Sequence, residues 1–337
     1  MASRQTILVT GGAGYIGSHA CKALAAAGHL PVTYDSLVLG HERAVAWGPL
    51  ERGDITDRPR LAAVLARHRP AAVMHFAALS DVAQSMADPG RYYANNVGGT
   101  LCLLEAMRDH GVDRIVLSST ASVYGVPATV PVGEDAPLAP INPYGASKAM
   151  AERLIADFAA AHGLGWMALR YFNAAGADPD GETGEDHDPE THLIPLVLAA
   201  AAGRRGAVTV NGDDYDTPDG TCIRDYVHVS DLADAHVLAL EALLAGSGSA
   251  VCNLGNGAGF SVRQVIAAAE RTTGRKVPVI TGPRRPGDPA VLVADAGRAR
   301  RLLGWAPRLS DLETIIATAW RWHGRPDAAR PRATARR

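Results

Sequence analysis

Tyr144 and Lys148 stand four residues apart in the run Tyr144-Gly145-Ala146-Ser147-Lys148, a spacing that stacks two side chains on one face of a helix. A free phenol has a pKa near ~10 and is a poor base at neutral pH. An ammonium about 6 Å away, at an effective dielectric of about 20, favours phenolate by roughly 2–3 kcal/mol, or about two pKa units. A second cation beside the ring would bring the phenol close to working pH, where a general base is most effective. The chemistry open to such a pair is removal of an alcohol proton while the carbon gives up hydride. Two residues alone do not establish it, so the elements that must position them decide.

The chain opens with an apolar run, Thr6 to Thr10, which enters Gly11-Gly12-Ala13-Gly14-Tyr15-Ile16-Gly17 and then a helical stretch from Ser18 to Ala27. Strand, glycine turn and helix in this order place a pyrophosphate on the unpaired N–H groups of a helix N-terminus. A second strand, Leu30 to Tyr34, ends in Asp35, eighteen residues after Gly17. An acid there bonds the adenosine ribose hydroxyls and repels a 2′-phosphate, so NAD is favoured over NADP.

Apolar strands then alternate with amphipathic helices: a helix at Asp57 to Arg67, a strand at Ala71 to Ala78, a helix near Tyr92 to His110 and a strand at Arg114 to Thr120. The Tyr144 helix runs to about Ala161, before a strand at Trp166 to Phe172. This alternation means a parallel sheet covered on both faces, a doubly wound α/β fold of the Rossmann type, over residues 1–176. Residues 177–323 read as a smaller mixed α/β substrate domain closing over the carboxyl ends of the strands, with some segments returning to the first domain. Its expected elements are helices at His192 to Gly203, Val229 to Leu244, Ser261 to Thr273 and Ala296 to Leu303, and strands at Val208 to Asn211, Val251 to Leu254 and Val277 to Ile280. The tail, 324–337, mixes Ala, Pro and Arg and reads as a disordered end.

At 337 residues, two domains are the default. Hydrophobic residues at 47% and charged residues at 20% describe an ordinary globular enzyme, and a formal charge of -2 provides no field to recruit nucleic acid. The cysteines Cys21, Cys102, Cys222 and Cys252 are scattered, as expected of buried free thiols in a reducing cytoplasm. No run reaches transmembrane length and no secretory h-region opens the chain. His75 and His228 fall in strand-like runs and are expected to be packed structural groups. The loop Gly184 to His192 is rich in acids and histidines but shows no fixed ligand spacing, so a solvated loop and no metal are expected.

The motifs TGGAGYIGSH, Asp54-Ile55, HFAA, NNVGGT, SSTASVYG, YGASK, RYFNAAG, RDYVHVSDLADAH and RRPGD occur in that order up to about His323. Together they resemble the extended short-chain dehydrogenase/reductase superfamily, and within it the UDP-glucose 4-epimerase family. The resemblance implies one tightly held NAD, reduced and reoxidised within each turnover, and a UDP-sugar substrate. It makes Tyr144 the base for the sugar 4-hydroxyl, has Lys148 favour its phenolate and bond the nicotinamide ribose, and has Thr120 bond the 4-oxygen. Cofactor contacts map to Gly11, Gly14, Tyr15, Ile16, Gly17, Asp35, Asp54, Ile55, Phe76, Ala77, Ala78, Asn95, Ser118 and Tyr171. Substrate contacts map to Asn173 and Arg224 near the diphosphate, Leu193 with the backbone in place of a diphosphate-binding asparagine, Arg285 and Asp288 on the nucleotide, and Leu292 at the sugar. A homodimer through the helices near 92–110 and 144–161 is implied as well.

Three positions depart from that pattern. Ser80 stands where a lysine near the cofactor is common, Asn211 where an aromatic stacks on uracil, and His192 where an asparagine binds the diphosphate. A nucleotide-sugar 4,6-dehydratase shares the fold but writes Ser-Thr-Asp-Glu-Val-Tyr-Gly where this chain has Ser119-Thr120-Ala121-Ser122-Val123-Tyr124-Gly125, without the two carboxylates. A UDP-glucuronate enzyme would need an extra cation for the C6 carboxylate, and an NAD-sensing module usually has a broken Tyr–Lys pair, which here is intact.

Overall fold

The computed structural model describes residues 4–285 and 287–324, so the expected tail lies, from residue 325 onward, outside the described residues. Strands β1 (Thr6–Thr10), β2 (Leu30–Asp35), β3 (Leu50–Arg52), β4 (Ala72–His75), β5 (Arg114–Thr120) and β6 (Gly165–Tyr171) form one sheet. Side by side they run β3-β2-β1-β4-β5-β6, and Ala250–Leu254 completes the edge beyond β6. Every pairing is parallel. The order reverses between β1 and β4, which opens a crevice at the carboxyl ends, where ligands bind in such sheets.

Alternation along the strands divides the core. Ile7 and Val9 of β1 pack on one face with Met74, Val116, Leu169 and Cys252, beneath the helices Tyr15–Ala26 and Val229–Leu244. Leu8 points the other way, with Val73, Ile115 and Ala168, beneath Arg58–His68, Gly99–Asp109 and Pro143–His162. Both faces are buried, so the strands read as continuous apolar runs. His75 lies between Thr10 Oγ1 at 2.7 Å and Thr100 Oγ1 at 3.1 Å, and burial lowers its pKa to about 3. His228 shares a hydrogen bond with Thr318 at 3.0 Å, so both histidines are the packed groups expected.

A second core joins the helices Leu193–Ala201, Val262–Thr273 and Leu312–His323. Its small sheets pair Val208–Asn211 with Val279–Gly282, and Ile223–Arg224 with both Phe260–Ser261 and Val291–Leu292. The helix Leu312–His323 extends past the expected elements, although Asp311 caps it by accepting from Thr314 N at 2.8 Å. The chain also crosses back: Val229–Leu244, Ala250–Leu254 and Gly297–Leu303 belong to the first core.

Two boundaries differ from the periodicity for physical reasons. The expected strand at 71–78 ends at His75: after a last ladder bond from Phe76 N to Thr10 O at 2.8 Å, the backbone passes so close to Gly11 that a Cβ there would lie 2.6 Å from Ala77 N. The expected helix near 92–110 is interrupted by a π turn, Tyr93–Gly98. Within it the Asn96 amide accepts from Leu79 N at 2.8 Å and donates to Leu79 O at 3.0 Å and Ser147 Oγ at 2.9 Å. These three contacts to neighbouring segments offset the irregular helical register, as is common for π turns at functional sites.

The aspartates of RDYVHVSD hold the site's scaffold. Asp225, fully buried, accepts from the backbone of Asn256 at 2.7 Å, Gly257 at 3.0 Å and Ala294 at 3.1 Å. Asp231 accepts from Arg308 N and Leu309 N, both at 2.9 Å, and from Ser310 Oγ at 2.6 Å. Removing a carboxylate that satisfies three buried or half-buried donors costs about 3 kcal/mol. Asp231→Ala is therefore expected to lower the urea midpoint by that equivalent and Asp231→Asn to recover part of it; equal midpoints for wild type and Asp231→Ala would show that these bonds carry no net stability.

Candidate active site

The helix Pro143–His162 starts on Asn142, whose Oδ1 accepts from Gly145 N at 2.8 Å, with Pro143 in the first turn. This cap puts Tyr144 at the mouth of the crevice and Lys148 one turn deeper. Both are buried, Tyr144 at 7% exposure and Lys148 at 4%. Lys148 Nζ donates to Ser118 O at 2.9 Å, and burial brings the ammonium down to about 8. Burial pushes the Tyr144 phenol up, opposed by the hydrogen bond of the Thr120 hydroxyl. The expectation of a phenol lowered by Lys148 is not met in this cofactor-free structure: burial dominates, so further positive charge must arrive for Tyr144 to ionise readily.

Thr120, the last residue of β5, also caps the short turn after it, accepting from Ser122 N at 3.1 Å. Ser118 Oγ and Tyr171 OH lie 2.7 Å apart on neighbouring strands. Behind the catalytic helix runs a buried polar chain the sequence reading missed. Ser119 Oγ donates to Glu152 Oε1 at 2.5 Å, Arg170 pairs with Glu152 at 2.5 Å and reaches Tyr124 OH at 2.9 Å, and Tyr124 OH donates to Asn253 Oδ1 at 2.7 Å. Its members come from β5, the helix, β6 and the returning edge strand, and they lock the helix to the sheet.

The glycine turn leaves no room for side chains where it meets its neighbours. A Cβ on Gly11, at φ +74, would lie 2.6 Å from Ala77 N, and one on Gly17 would lie 2.2 Å from Gly11 O. Gly14 precedes the helix Tyr15–Ala26 without a side-chain cap, so the first N–H groups of that helix are available to an anion. Asp35 Oδ2 accepts from Ala13 N at 3.0 Å and Oδ1 from Leu37 N at 2.8 Å, which orients the carboxylate and leaves lone pairs for ribose hydroxyls. A tight turn, an uncapped helix and an oriented acid fit a dinucleotide. Tyr15 is fixed by its bond to Gly176 O at 2.7 Å, and Asn95 by its bond to Asn96 at 2.9 Å.

One cleft of about 1730 Å³ is lined by every residue expected in a catalytic, cofactor or substrate role. Its cofactor side includes Ile16, Asp54, Ile55, Phe76, Ala77 and Ala78, with Ser80 at the edge, and its far side Asn173, Leu193, Arg224, Arg285, Asp288 and Leu292. Arg224 is paired with Asp288. Leu292 pairs with Arg224 across the short strands Ile223–Arg224 and Val291–Leu292. Asn211, with its amide oxygen turned toward Arg285, accepts from the guanidinium at 3.1 and 3.2 Å. His192 points to Glu185 at 2.8 Å and Glu190 at 3.0 Å rather than serving as a diphosphate amide.

A sequence model of the NAD dependent epimerase/dehydratase family matches residues 7–255. The chain belongs to that family. Among its members, the UDP-glucose 4-epimerase of Rhizobium meliloti is 53% identical over 319 residues, 95% of this chain and 97% of the relative. The structure of UDP-glucose 4-epimerase from Brucella ovis in complex with NAD superposes with a TM-score of 0.93 at 53% identity, covering 95% of this chain and 98% of that one. The UDP-glucose-4-epimerase of Stenotrophomonas maltophila, with bound NAD and formylated UDP-arabinopyranose, gives 0.92 at 45% identity, covering 95% and 98%. Among the described residues no helix is long and apolar enough to cross a membrane.

The depth of Lys148 has a thermodynamic signature. Its pKa of about 8 lies below the ordinary 10.5, so burying the ammonium opposes folding by roughly 3 kcal/mol. Below pH 8 the lysine is charged in both folded and unfolded states and the penalty is full; between 8 and 10.5 the folded protein alone releases the proton and the penalty fades. In NAD-stripped protein, Lys148→Met is expected to be more stable than wild type at pH 7, with the difference shrinking by pH 10. Urea unfolding at both pH values checks this, and a pH-independent difference would show that the ammonium is well solvated.

Proposed function

We propose that the chain interconverts UDP-glucose and UDP-galactose by oxidation at C4, rotation of the 4-keto sugar and reduction on its other face. The observation that carries this reading is the convergence of Thr120, Tyr144 and Lys148 at the carboxyl edge of the sheet, between a dinucleotide turn and an arginine-lined pocket. NAD supplies the reversible two-electron acceptor when bound. Tyr144 takes the 4-hydroxyl proton and returns it, because its phenol is the buried group whose ionisation follows the local charge. Thr120 orients the 4-oxygen toward Tyr144, and Lys148 raises the positive potential at the phenol while holding Ser118 O. Asp35 and the turn at 11–17 hold the adenosine and pyrophosphate, with Tyr171 and Ser118 at the nicotinamide end.

Arg224, Arg285, Asp288, Asn173 and Leu193 would hold the UDP firmly while the sugar turns. Epimerisation needs that division between a fixed nucleotide and a loose sugar. A 4,6-dehydratase also needs an acid/base pair to expel water, and positions 121 and 122 carry Ala and Ser. The proposed homodimer would cover Leu101 and Met150, exposed on the helices Gly99–Asp109 and Pro143–His162. A reducing cytoplasm suits the four unpaired cysteines, two of them half-buried rather than buried as expected.

Purified protein is expected to release NAD rather than NADP on denaturation and to convert UDP-galactose to UDP-glucose with none added. Tyr144→Phe is expected to lose about 10²–10⁴-fold in turnover while still binding UDP-sugar. Chromatography of a UDP-sugar panel and calorimetry on the variant check both; near wild-type turnover would mean that the base is another group. Leu292 is smaller than a tyrosine and larger than a serine, so slow turnover of N-acetylated sugars is expected beside the hexose pair. Leu292→Ser is expected to raise activity on UDP-N-acetylglucosamine without a matching gain on UDP-glucose, and an equal change on both would remove Leu292 from the choice of sugar.

A further inference from the structure

The loop expected to be solvated is gathered instead. Glu185, His187, Glu190 and His192 each offer one ligand atom, and these atoms all lie within 4.8 Å of one another. Glu185 is only 4% exposed, and its Oε1 faces both imidazoles, His192 Nδ1 at 2.8 Å and His187 Nδ1 at 3.2 Å. Glu190 completes the set at 3.0 Å from His192 Nδ1 and 3.9 Å from His187 Nδ1. Its carboxylate is oriented by Thr191 N and His192 N, both donating to Oε1 at 2.8 Å. Bonds of 2.0–2.1 Å to nitrogen and oxygen put donors about 3.3 Å apart around a tetrahedral ion, near three of the carboxylate–imidazole separations, and every pair of ligand atoms lies within 4.8 Å.

A nearby acidic cluster provides the contrast. Asp178, Asp180 and Glu182 also converge, but Lys22 Nζ already sits among them at 2.8, 3.0 and 2.6 Å. Among the described residues, the ion pairs of Glu185 and Glu190 are with the two histidines. Those rings stand tilted at 43° with centroids 5.1 Å apart, close enough for both to turn a nitrogen to one cation. The loop is fixed at both sides: Trp322 Nε1 donates to Glu185 O at 2.9 Å, and His41 Nε2 meets Asp186 O at 2.8 Å.

We propose that Glu185, His187, Glu190 and His192 bind a divalent transition ion of the zinc class. Two imidazole nitrogens with two carboxylates select zinc-like ions over magnesium or calcium, which prefer oxygen alone. The ion's place is structural. His192 directly precedes the helix Leu193–Ala201, His187 packs edge-on against Tyr15 of the glycine-turn helix at 6.2 Å, and Glu185 is tied to the helix Leu312–His323. A single ion would therefore join the cofactor side, the substrate side and the last described helix.

The test uses the full chain without a polyhistidine tag, stripped with chelator and reloaded with ZnCl2 or CoCl2 alone. We expect about one zinc per chain by mass spectrometry, a higher melting temperature after reloading, and intense visible absorption from tetrahedral cobalt. His192→Ala and Glu190→Gln are expected to weaken zinc binding by about 10–100-fold or more, while Asp180→Ala retains it. Stripped wild type that takes up no zinc at micromolar concentration, uptake abolished by Asp180→Ala, or undiminished affinity in His192→Ala would each overturn the proposal. If the variants do not fold, the wild-type cobalt spectrum decides, since weak octahedral bands or none would equally overturn it.

Discussion

An ammonium carried into a site that is 96% closed to solvent is the constraint around which the rest of this molecule is arranged. Lys148 has one backbone carbonyl, that of Ser118, to compensate for lost water, and its neighbour Tyr144 is neutral and pushed further from ionisation by the same burial. Left alone, such a pair is poorly matched to base catalysis. Under the proposed mechanism its usefulness depends on another group entering the cleft and completing the local charge, which would tie proton transfer to cofactor occupancy. The polar chain through Glu152, Arg170, Tyr124 and Asn253 keeps the catalytic helix from relaxing outward and rehydrating the lysine.

The substrate side is built on a different principle. Arg224 and Asp288 neutralise each other, and Asn211 occupies the Arg285 fork. On the proposed reading, a diphosphate nucleotide would enter by exchanging protein partners rather than by meeting bare charges, which would moderate the desolvation cost of binding. Asn211 also explains how the pocket manages without an aromatic at that position: its side chain serves the arginine instead of a base.

The features legible in the sequence are those encoded locally. The glycine turn, Asp35 at the end of β2, the Tyr–Lys spacing and the apolar strands each depend on a few consecutive residues, and the structure brings them together in one cleft. Which segments of the second half return to the first core was not legible, because Ala250–Leu254 pairs with β6 and Val229–Leu244 packs with Ile7, Val9 and Met74, all distant in sequence. Contacts such as Arg170 with Glu152, or Asp231 with Ser310, leave no periodic trace either, since they join residues whose proximity the fold alone creates. The π turn was hidden for the opposite reason: its composition is helical, and only the demands of Leu79 and Ser147 on Asn96 distort it. In the loop at 184–192 the ligating residue types were visible, but a loop has no fixed period from which their convergence can be computed.

The edge strand Ala250–Leu254 also has a consequence for biogenesis. It pairs with β6 along its whole length, and its buried side shares one core cluster with the helices Val229–Leu244 and Gly297–Leu303. A nascent chain that has released only its first 176 residues thus presents β6 as an unpaired hydrophobic edge and one sheet face covered by the helix Tyr15–Ala26 alone. Unpaired edges of this kind favour association between chains. Vectorial synthesis delivers the finishing strand of this sheet only after about three quarters of the polypeptide has emerged.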